Sequence, residues 1–487
     1  MNIRLSTTQH MARIRASVTS FRLPSMAAYA VGLVFSKMLA LLLQPLLTRW
    51  LTPEEFGDYA VLITLANLVS VIMLVGMVDC LYRFAHQELS PAPASQSANK
   101  RLSSPKFDGI WTTTVMASSA ITLPLLIWPS VIADWLPGTL SDLSVRCLML
   151  SVLLSTHSAL QLARLRMEDK AKPFLIIQLL FATVQCLFIV VLTPVSGVDG
   201  IMIASLIANA VQWLLLHRDM PGFSLGQWQQ FVRYGSGIMV SGVIGFVTLG
   251  AERWVLGGAV GTAELAVYAI AMQWALAATL LLEPYGMWWF PKRFSSVEKD
   301  QRYTADMSVF GCQLATVIAA LLIVIGCPFL TLWLPENYHQ ASEILPLLAW
   351  VMWFKYLSTQ LNLGIYADKT ADTAAGLSAL CALIAVGLML TLIPVFGLYG
   401  AVIMALLSQV IRFGLFLYVS QRRLHLPYRY KDLIVCGIAL AAITFIQLHA
   451  SDRLSVYLSS ALLTIFAGGL VFYIYRSWQR YTHAVSA

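Results

Sequence analysis

The feature that most constrains this chain is a series of fourteen apolar runs, each about 20 residues long and almost free of charge. A helix of this length crosses the hydrocarbon layer of a bilayer. Hydrophobic residues make up 58% of the 487 residues and charged residues 11%, whereas a soluble chain carries about 25% charged residues. The strands of a membrane barrel would alternate polar and apolar residues instead. The sequence therefore predicts an all-α polytopic membrane protein with about 14 transmembrane helices.

The predicted spans are separated by short polar segments. Their bounds are 26–48, 57–80, 109–132, 143–163, 173–193, 199–216, 236–256, 264–286, 307–333, 342–364, 373–393, 398–420, 432–448 and 455–475. Of the 32 Lys and Arg residues, 25 lie in segments that share one side of the membrane with the N-terminus. Because basic segments stay on the cytosolic side, both termini are predicted to be cytosolic. The same placement argues against a nucleic-acid partner, although the net charge is +8.

A polar hairpin at residues 49–59 joins the first two spans. Thr52 is followed by Pro53 and two acidic residues, a pattern typical of a helix start, where a hydroxyl caps the first turn. The sequence therefore predicts a tight turn between two membrane helices. The residues that define this hairpin are Arg49, Pro53, Glu55, Gly57 and Tyr59.

Three short motifs recur at a nearly constant offset. Glu55-x-Gly57-x-Tyr59 returns as Glu264-x-Ala266-x-Tyr268 after 209 residues, Asp169-Lys170 as Asp368-Lys369 after 199, and Gly197-x-x-Gly200 as Gly397-x-x-Gly400 after 200. Each motif occupies the same place in a six-span unit. Spans 1–6 and 7–12 are therefore predicted to be parallel repeats around a central cavity, with the last two spans as an appendage.

This repeat predicts the domain organisation. A basic cytosolic tail (1–25) precedes an N-lobe (26–216), a cytosolic linker (217–235), a C-lobe (236–420) and a last segment with spans 13 and 14 and a cytosolic tail (421–487). No segment between spans is long enough to fold as a soluble domain.

Four cations lie inside the predicted spans: Lys37, Arg253, Lys355 and Arg412. A charge at mid-bilayer costs at least about 2.5–3.5 kcal/mol, so it normally faces protein or water. The first and tenth spans each place a Lys on one helical face with further polar residues, and the sixth and twelfth spans carry polar residues at an offset of 200. The polar residues predicted to line the cavity are Gln44, Thr48, Asn209, Gln212, Thr359, Asn362 and Gln409.

Two interpretations of these cations stay open. Each cation either faces the cavity and binds substrate, or it is paired with a neighbour or reaches the interface along its own stem. A cavity with more cations than acids favours an anionic cargo, because Arg and Lys bind phosphate and carboxylate groups. Acids near the middle of the membrane are scarcer than cations: we assign Glu252 and Glu283 there, and they are the candidates for ion coupling.

The sequence carries no recognisable catalytic motif. A P-loop, HExxH and GxSxG are absent, and His and Cys do not cluster with the spacing of metal ligands. The seven cysteines lie in or beside apolar runs, and none forms a CxxC motif. We therefore expect a transporter and not an enzyme, with no cofactor and no metal site.

The hairpin and the seventh span resemble the Wzx-type polysaccharide and oligosaccharide flippases of the multidrug/oligosaccharidyl-lipid/polysaccharide exporter superfamily, which is MATE-like. The first shared motif is R-x-L-x-P-x-E-x-G-x-Y, here Arg49 to Tyr59. The second is D-R-x-x-[IL]-G followed by G-x-x-E-x-G-x-Y, here Glu252 to Tyr268. This segment departs from the family pattern at Glu252, in place of Asp, and at Ala266, in place of Gly. The resemblance covers essentially the whole chain.

The resemblance implies a multi-pass protein of the bacterial inner (cytoplasmic) membrane. It would move undecaprenyl-diphosphate-linked oligosaccharide repeat units from the cytosolic to the periplasmic leaflet for O-antigen or exopolysaccharide biosynthesis. Its partners would then be a lipid-linked anionic oligosaccharide and membrane lipid, with polysaccharide polymerase or assembly proteins as further candidates.

Three alternatives to this function are considered. A lipid II flippase would share the fold and the cationic cavity. A drug/cation antiporter would require an acid where the first span has Lys37. A membrane glycan polymerase subunit would need a sizeable outer loop to present catalytic groups, and the sequence offers none.

Overall fold

The computed structural model describes residues 25–85, 105–217, 221–290, 292–366, 372–449 and 468–469, and within its first helix it leaves the side chains of 25–31, 33, 34, 36 and 37 undescribed. The α-helices are α1 (Ser25–Trp50), α2 (Pro53–Leu74), α3 (Met77–Phe84), α4 (Pro105–Ile127), α5 (Ser130–Ala133), α6 (Asp142–Met167), α7 (Ala171–Leu216), α8 (Trp228–Thr248), α9 (Glu252–Val260), α10 (Thr262–Thr279), α11 (Glu283–Trp289), α12 (Arg293–Lys299), α13 (Gln301–Leu321), α14 (Cys327–Trp333), α15 (Gln340–Gln360), α16 (Asp372–Arg423) and α17 (Tyr430–Leu448). Three 3₁₀ turns (Leu280–Leu282, Glu336–Tyr338 and Leu363–Tyr366) and one π-helical stretch (Leu322–Gly326) join some of them.

These helices account for thirteen of the fourteen predicted spans, because α7 and α16 each contain two spans joined at a kink. Nine continuous helical stretches of the described chain are long and apolar enough to cross a membrane. The predicted all-α polytopic fold with about 14 transmembrane helices is confirmed. The basic N-terminal tail (1–24), most of the linker between the second and third spans, Asp368-Lys369, the fourteenth span (455–475) apart from 468–469 and the C-terminal tail lie outside the described residues.

The predicted hairpin between α1 and α2 is stabilised by a reciprocal cap. The backbone N–H of Thr52 donates to Oε2 of Glu55 at 2.9 Å, and the backbone N–H of Glu55 donates to Oγ1 of Thr52 at 3.2 Å. Pro53 is the first helical residue, where its missing N–H has no consequence. The capping box satisfies two backbone donors that a helix start leaves free. We call the end of the bundle that carries this turn the hairpin end, and the other the opposite end.

The internal repeat is visible in the backbone itself. Gly197 in α7 has φ 54° and ψ −130°, and Gly397 in α16 has φ 55° and ψ −128°. Each kink follows a proline by three residues. The Cβ that another residue would carry lies 3.4 Å from a carboxylate oxygen of Glu55 at the first kink and of Glu264 at the second. The same acid of the repeated hairpin motif thus lies beside the same kink in both halves, α1–α7 and α8–α16.

The apolar core is continuous between the two halves. One large cluster of buried side chains includes Phe56 and Leu62 of α2 together with Tyr268 and Ile270 of α10. A second cluster at the opposite end joins the first half to α8 through Phe231. Backbone approach is also close there, since a Cβ on Gly235 would lie 2.0 Å from the carbonyl oxygen of Val75. Small residues let membrane helices approach in this way.

The two kinks generate a testable prediction. Replacement of Gly197 or Gly397 by Ala should strain the backbone by about 1–3 kcal/mol, because a side chain disfavours this positive φ. The midpoint of thermal unfolding of the purified protein in detergent should fall for both variants. Gly387→Ala is the matched control within α16, since a Cβ there meets nothing within 4 Å. A control that falls as far as the two kink variants would contradict the prediction.

Candidate functional site

Three of the charged residues predicted for the site are brought together by α9, α15 and α16. Lys355 of α15 interacts electrostatically with Arg412, which repels it, and with Glu252, which attracts it. The guanidinium of Arg412 lies 4.7 Å from the ring centroid of Phe416. Lys355 is exposed although it lies in a predicted span. Since an ammonium inside a bilayer is expected to face water, we call the space beside this face of α15 the cleft.

Lys355 and Arg412 form no close ion pair with a described residue. The ion pairs within 4.0 Å in the described part of the chain include Arg164 with Glu168, Lys170 with Glu168 and Arg429 with Asp306. Neither Lys355 nor Arg412 takes part in one. Arg253 is half-buried, and its Nε has no hydrogen-bond partner among the described residues. Among the described residues, Glu252 acts on Lys355 without a close ion pair, so the cations here outnumber the acid beside them.

Glu252 lies at a break in the seventh predicted span. Helix α8 ends at Thr248 and α9 begins at Glu252, so that residues 249–251 are not helical. Only 1% of Glu252 is exposed. Its carboxylate accepts hydrogen bonds from the backbone N–H of Gly250 and from the hydroxyl of Tyr268, the latter at 3.2 Å. A broken helix in a membrane needs such a partner for its free backbone groups.

The other predicted acid has a different environment. Glu283 is exposed at the first position of α11 and precedes Pro284. It interacts electrostatically with Tyr356 of α15. Of the two candidates for ion coupling, Glu252 is therefore the one next to the cations.

The predicted stripe on the first span connects the two halves. The side chain of Lys37 is outside the described part of α1. The amide of Gln44 donates to Oε1 of Gln273 at 3.4 Å and accepts a hydrogen bond from the indole N–H of Trp274. Both partners lie on α10 of the second half. The hydroxyl of Thr48 donates to the carbonyl of Pro45 in its own helix at 3.2 Å.

The polar residues of the sixth span are bonded within the first half. The amide of Asn209 donates to Oγ of Ser151 at 2.8 Å, and that of Gln212 donates to Oε1 of Gln178 at 2.7 Å. These bonds join α7 to α6 and the two parts of α7 to each other. A buried amide in a membrane protein is satisfied by the nearest helix, and here that helix belongs to the same half. In the second half, Gln409 is buried, and its Oε1 has no partner among the described residues.

The sequence did not single out Arg293, which lies in a predicted cytosolic segment. Its guanidinium donates to the carbonyl of Thr359 and to Oδ1 of Asn362, each at 3.3 Å. It therefore places a second cation, after Lys355, at the predicted polar face of the tenth span. The sequence signal that could have identified Arg293 is the pair of aromatic residues near it, Phe290 and Phe294.

A second polar region lies at the hairpin end of the first half. A cavity of about 370 Å³ is lined there by Glu55, Asp58 and Asp199 together with several hydroxyl groups. Asp58 accepts hydrogen bonds from the backbone and hydroxyl of Thr139, and Asp199 accepts from the hydroxyls of Ser141 and Ser144. These carboxylates thus position the connection between α4 and α6. Within the described residues, no group of His, Cys, Asp and Glu has the arrangement of a metal site.

The cleft is closed at the hairpin end by direct contact between the halves. A Cβ on Gly57 of α2 would lie 1.9 Å from the carbonyl oxygen of Thr262, at the start of α10. The hydroxyl of Tyr338 donates to the carbonyl of Leu51 at 3.3 Å, and the indole of Trp254 donates to that of Val61 at 3.4 Å. The motif glycine of the hairpin is therefore a contact point between halves.

Comparison with known proteins gives a family and a fold. The model of the family described as polysaccharide biosynthesis protein matches residues 46–343, more than half of the chain. The structure of the lipid II flippase MurJ in an inward closed conformation is 14% identical with a TM-score of 0.71, over 93% of this chain and 98% of that one. A comparison with curated protein sequences gives no match.

Multidrug transporters share the fold as well. The inward-facing structure of a MATE family transporter of the MOP superfamily is 13% identical with a TM-score of 0.57, covering 82% of this chain and 98% of that one. The structure of the MATE multidrug transporter DinF-BH is 16% identical with a TM-score of 0.54, covering 83% of this chain and 96% of that one. At such identities these likenesses show the fold alone.

The contact at the hairpin end predicts the effect of a single methyl group. Gly57→Ala should separate the halves or shift α10, at a cost of about 1–3 kcal/mol, because no room exists for the Cβ. Thermal unfolding should therefore begin at a lower temperature. In Gly237→Ala, where a Cβ meets nothing within 4 Å, the higher helix propensity of Ala should leave stability equal or slightly raised. Equal midpoints for Gly57→Ala and the native protein would refute the closure.

Proposed function

The chain belongs to the polysaccharide biosynthesis protein family, and from this premise we propose that it is a flippase for lipid-linked oligosaccharides. Its cargo is an undecaprenyl-diphosphate-linked repeat unit, which it moves from the cytosolic to the periplasmic leaflet of the bacterial inner membrane for O-antigen or exopolysaccharide assembly. The observation that carries the proposal is the pair of cations Lys355 and Arg412, which repel each other and have no ion-pair partner within 4.0 Å among the described residues.

The chemistry of this pair suits a diphosphate. Two like charges held close together in a medium of low dielectric raise the energy of the empty protein. A diphosphate between them offsets the repulsion and replaces the water that it loses on leaving the membrane surface. The guanidinium of Arg412 offers a planar pair of donors to phosphate oxygens, and the ammonium of Lys355 is a compact charge that adapts to either phosphate. Lys37 and Arg253 complete the proposed set of cations.

Transport follows from the two-half architecture. The contact of Gly57 with Thr262 closes the hairpin end, which we assign to the periplasmic side, and it involves no covalent link between the halves. Rocking of the halves about the central cleft would exchange this closure for one at the opposite, cytosolic end. We assign ion coupling to Glu252, because its charge acts directly on Lys355 and its carboxylate holds the broken seventh span.

A lipid II flippase is the second candidate. The fold resemblance to MurJ, a lipid II flippase, favours it, and a cationic cleft would take the diphosphate of either lipid. Separation of the two candidates needs the cargo itself. In a strain that lacks this gene, lipid-linked glycan should be isolated, and each leaflet should be assayed separately.

The proposal expects undecaprenyl-diphosphate oligosaccharide to accumulate on the cytosolic side, with loss of surface polysaccharide and normal cell-wall growth. Accumulation of lipid II with arrested cell-wall growth would favour the lipid II flippase instead. Normal arrival of repeat units at the periplasmic side would overturn both flippase assignments.

The role of the cations can be tested by substitution. Arg412→Ala and Lys37→Ala should abolish transport while abundance in the membrane stays near normal, because a charge in a wet cleft contributes little to packing. Arg412→Lys should retain only part of the activity, since an ammonium lacks the planar donor pair. The readout is surface polysaccharide in cells that carry each variant in place of the native gene, with protein amount measured in parallel.

Arg422→Ala is the matched control for Arg412. Arg422 lies on the same helix, and its guanidinium is 4.6 Å from the ring centroid of Tyr418, an arrangement like that of Arg412 over Phe416. Arg422 is exposed at the end of α16, so its loss should leave transport unchanged. If Arg412→Ala lowers abundance and transport to the same extent, Arg412 is a structural residue instead.

A further inference from the structure

We propose that Arg293 and Tyr428 form a second anion-binding subsite, at the opposite end of the second half, which receives a diphosphate before Lys355 and Arg412 do. The identity of the anion as a lipid diphosphate rests on the proposed function, whereas the existence of the subsite does not. The subsite lies where α12, the C-terminal end of α15 and the segment before α17 meet.

The first observation is the unfilled hydrogen-bonding capacity of Arg293. Its contacts with Thr359 and Asn362 are long, at 3.3 Å, and both acceptors are neutral. Its Nε is buried and has no hydrogen-bond partner among the described residues. The rings of Phe290 and Phe294 lie 4.9 Å and 5.0 Å from the guanidinium. Burial lowers the pKa of Arg293 from its ordinary value, as expected for a cation with no carboxylate beside it.

The second observation is that Tyr428, close to Arg293, also has a buried donor without an acceptor among the described residues. The hydroxyl of Tyr428 is buried without a partner in the described structure, and it interacts electrostatically with Arg293. Burial raises the pKa of Tyr428, so that the hydroxyl stays protonated and able to donate. Buried donors without acceptors are rare and costly. An anion between Arg293 and Tyr428 would satisfy both donors at once.

Helix capping explains only part of this geometry. The carbonyl of Thr359 belongs to the last turn of α15, where an arginine commonly interacts with free carbonyl groups. Capping accounts for one N–H of Arg293, but not for its free Nε or for the hydroxyl of Tyr428. An acid is present nearby, but Asp306 is paired with Arg429 at 2.9 Å. Arg293 is thus left as a desolvated cation that an external anion can neutralise.

The position of the subsite indicates an order of binding. Asn362, beside Arg293, lies seven positions after Lys355, and the part of α15 from Lys355 to its end at Gln360 alone spans about 7–8 Å along the helix axis. Tyr366 lies between the two cation groups: its ring centroid is 5.9 Å from Arg293, and it also interacts electrostatically with Arg412. One diphosphate is too short to engage both groups fully. It would therefore occupy Arg293 first and then move past Tyr366 to Arg412 and Lys355.

Binding of inorganic pyrophosphate and of farnesyl diphosphate to the full-length protein in lipid nanodiscs tests the subsite. Arg293→Gln keeps an amide donor for the carbonyl of Thr359 but removes the charge. In the Arg412→Ala background, where the inner site is disabled, this change should weaken binding of both probes about tenfold to a hundredfold. Arg293→Lys should restore part of the affinity. Tyr428→Phe should weaken binding by a smaller factor, severalfold.

Two control variants each remove one arginine guanidinium or one tyrosine hydroxyl outside the subsite. Arg302→Ala deletes an exposed cation on α13, and Tyr430→Phe deletes an exposed hydroxyl two residues from Tyr428. Both should leave affinity unchanged. Added salt should weaken probe binding to the Arg412→Ala protein and have less effect once Arg293 is replaced by Gln, because charge is what salt screens. A purely structural residue would not alter this salt dependence.

The result that overturns the subsite is unchanged affinity in Arg293→Gln, with or without a lower midpoint of thermal unfolding, since Arg293 would then be only a helix cap. Failure of the proposed function has a different signature. If the native protein binds pyrophosphate through Arg293 but does not move lipid-linked oligosaccharide in reconstituted vesicles, the subsite stands and the cargo assignment falls. If the native protein moves the lipid-linked oligosaccharide and the Arg293→Gln variant binds pyrophosphate with unchanged affinity, only the subsite is refuted.

Discussion

Backbone hydrogen bonding inside a bilayer is the constraint on which this structure depends. A helix can be interrupted there only where some other group replaces the lost bonds. The seventh span is interrupted at residues 249–251, and the carboxylate of Glu252 accepts from the backbone N–H of Gly250. The kinks at Gly197 and Gly397 likewise lie next to the hairpin acids Glu55 and Glu264. Each of these three irregularities thus has an acid beside it.

This use of the acids determines the charge of the cleft. Glu252 is engaged by backbone and by Tyr268, and Glu55 is engaged in the helix cap of the hairpin. Neither forms an ion pair within 4.0 Å with Lys355 or Arg412 in the described structure. The acid nearest these cations thus holds a broken helix and leaves them without a close ion pair. This arrangement is the structural basis of the anionic cargo that we propose.

The sequence predicted those features that depend on local pattern. The apolar runs predicted the number of membrane helices, and the order of Thr52, Pro53 and Glu55 predicted the capped start of α2. The repeated glycines predicted that the two halves are parallel repeats. It also predicted that Lys355 and Arg412 face a common cavity, from the polar face of the tenth span and from the offset of 200 that relates the twelfth span to the sixth.

The features that the sequence did not predict depend on which helices pack against each other. A polar stripe shows one face of a helix but not its neighbour, so the bond of Asn209 to Ser151 within the first half could not be predicted. Arg293 is 66 residues from Thr359, and only the packing of α12 on α15 brings the two together. Because the sequence places Arg293 among the cytosolic basic residues, it did not predict this contact.

The two halves, once compared position by position, explain why the cations collect in the second. In the first half Gln212 donates to Gln178, and the pair is neutral and satisfied. The positions 200 residues later hold Arg412 and Ser378. A serine is too short to replace the glutamine as a partner across the kink, and it brings no charge to balance the guanidinium. One repeat therefore has a satisfied amide pair at this place, whereas the other has a cation with no acid at the matching position. The proposed site of the second half thus differs from the first half by the loss of one neutral pair.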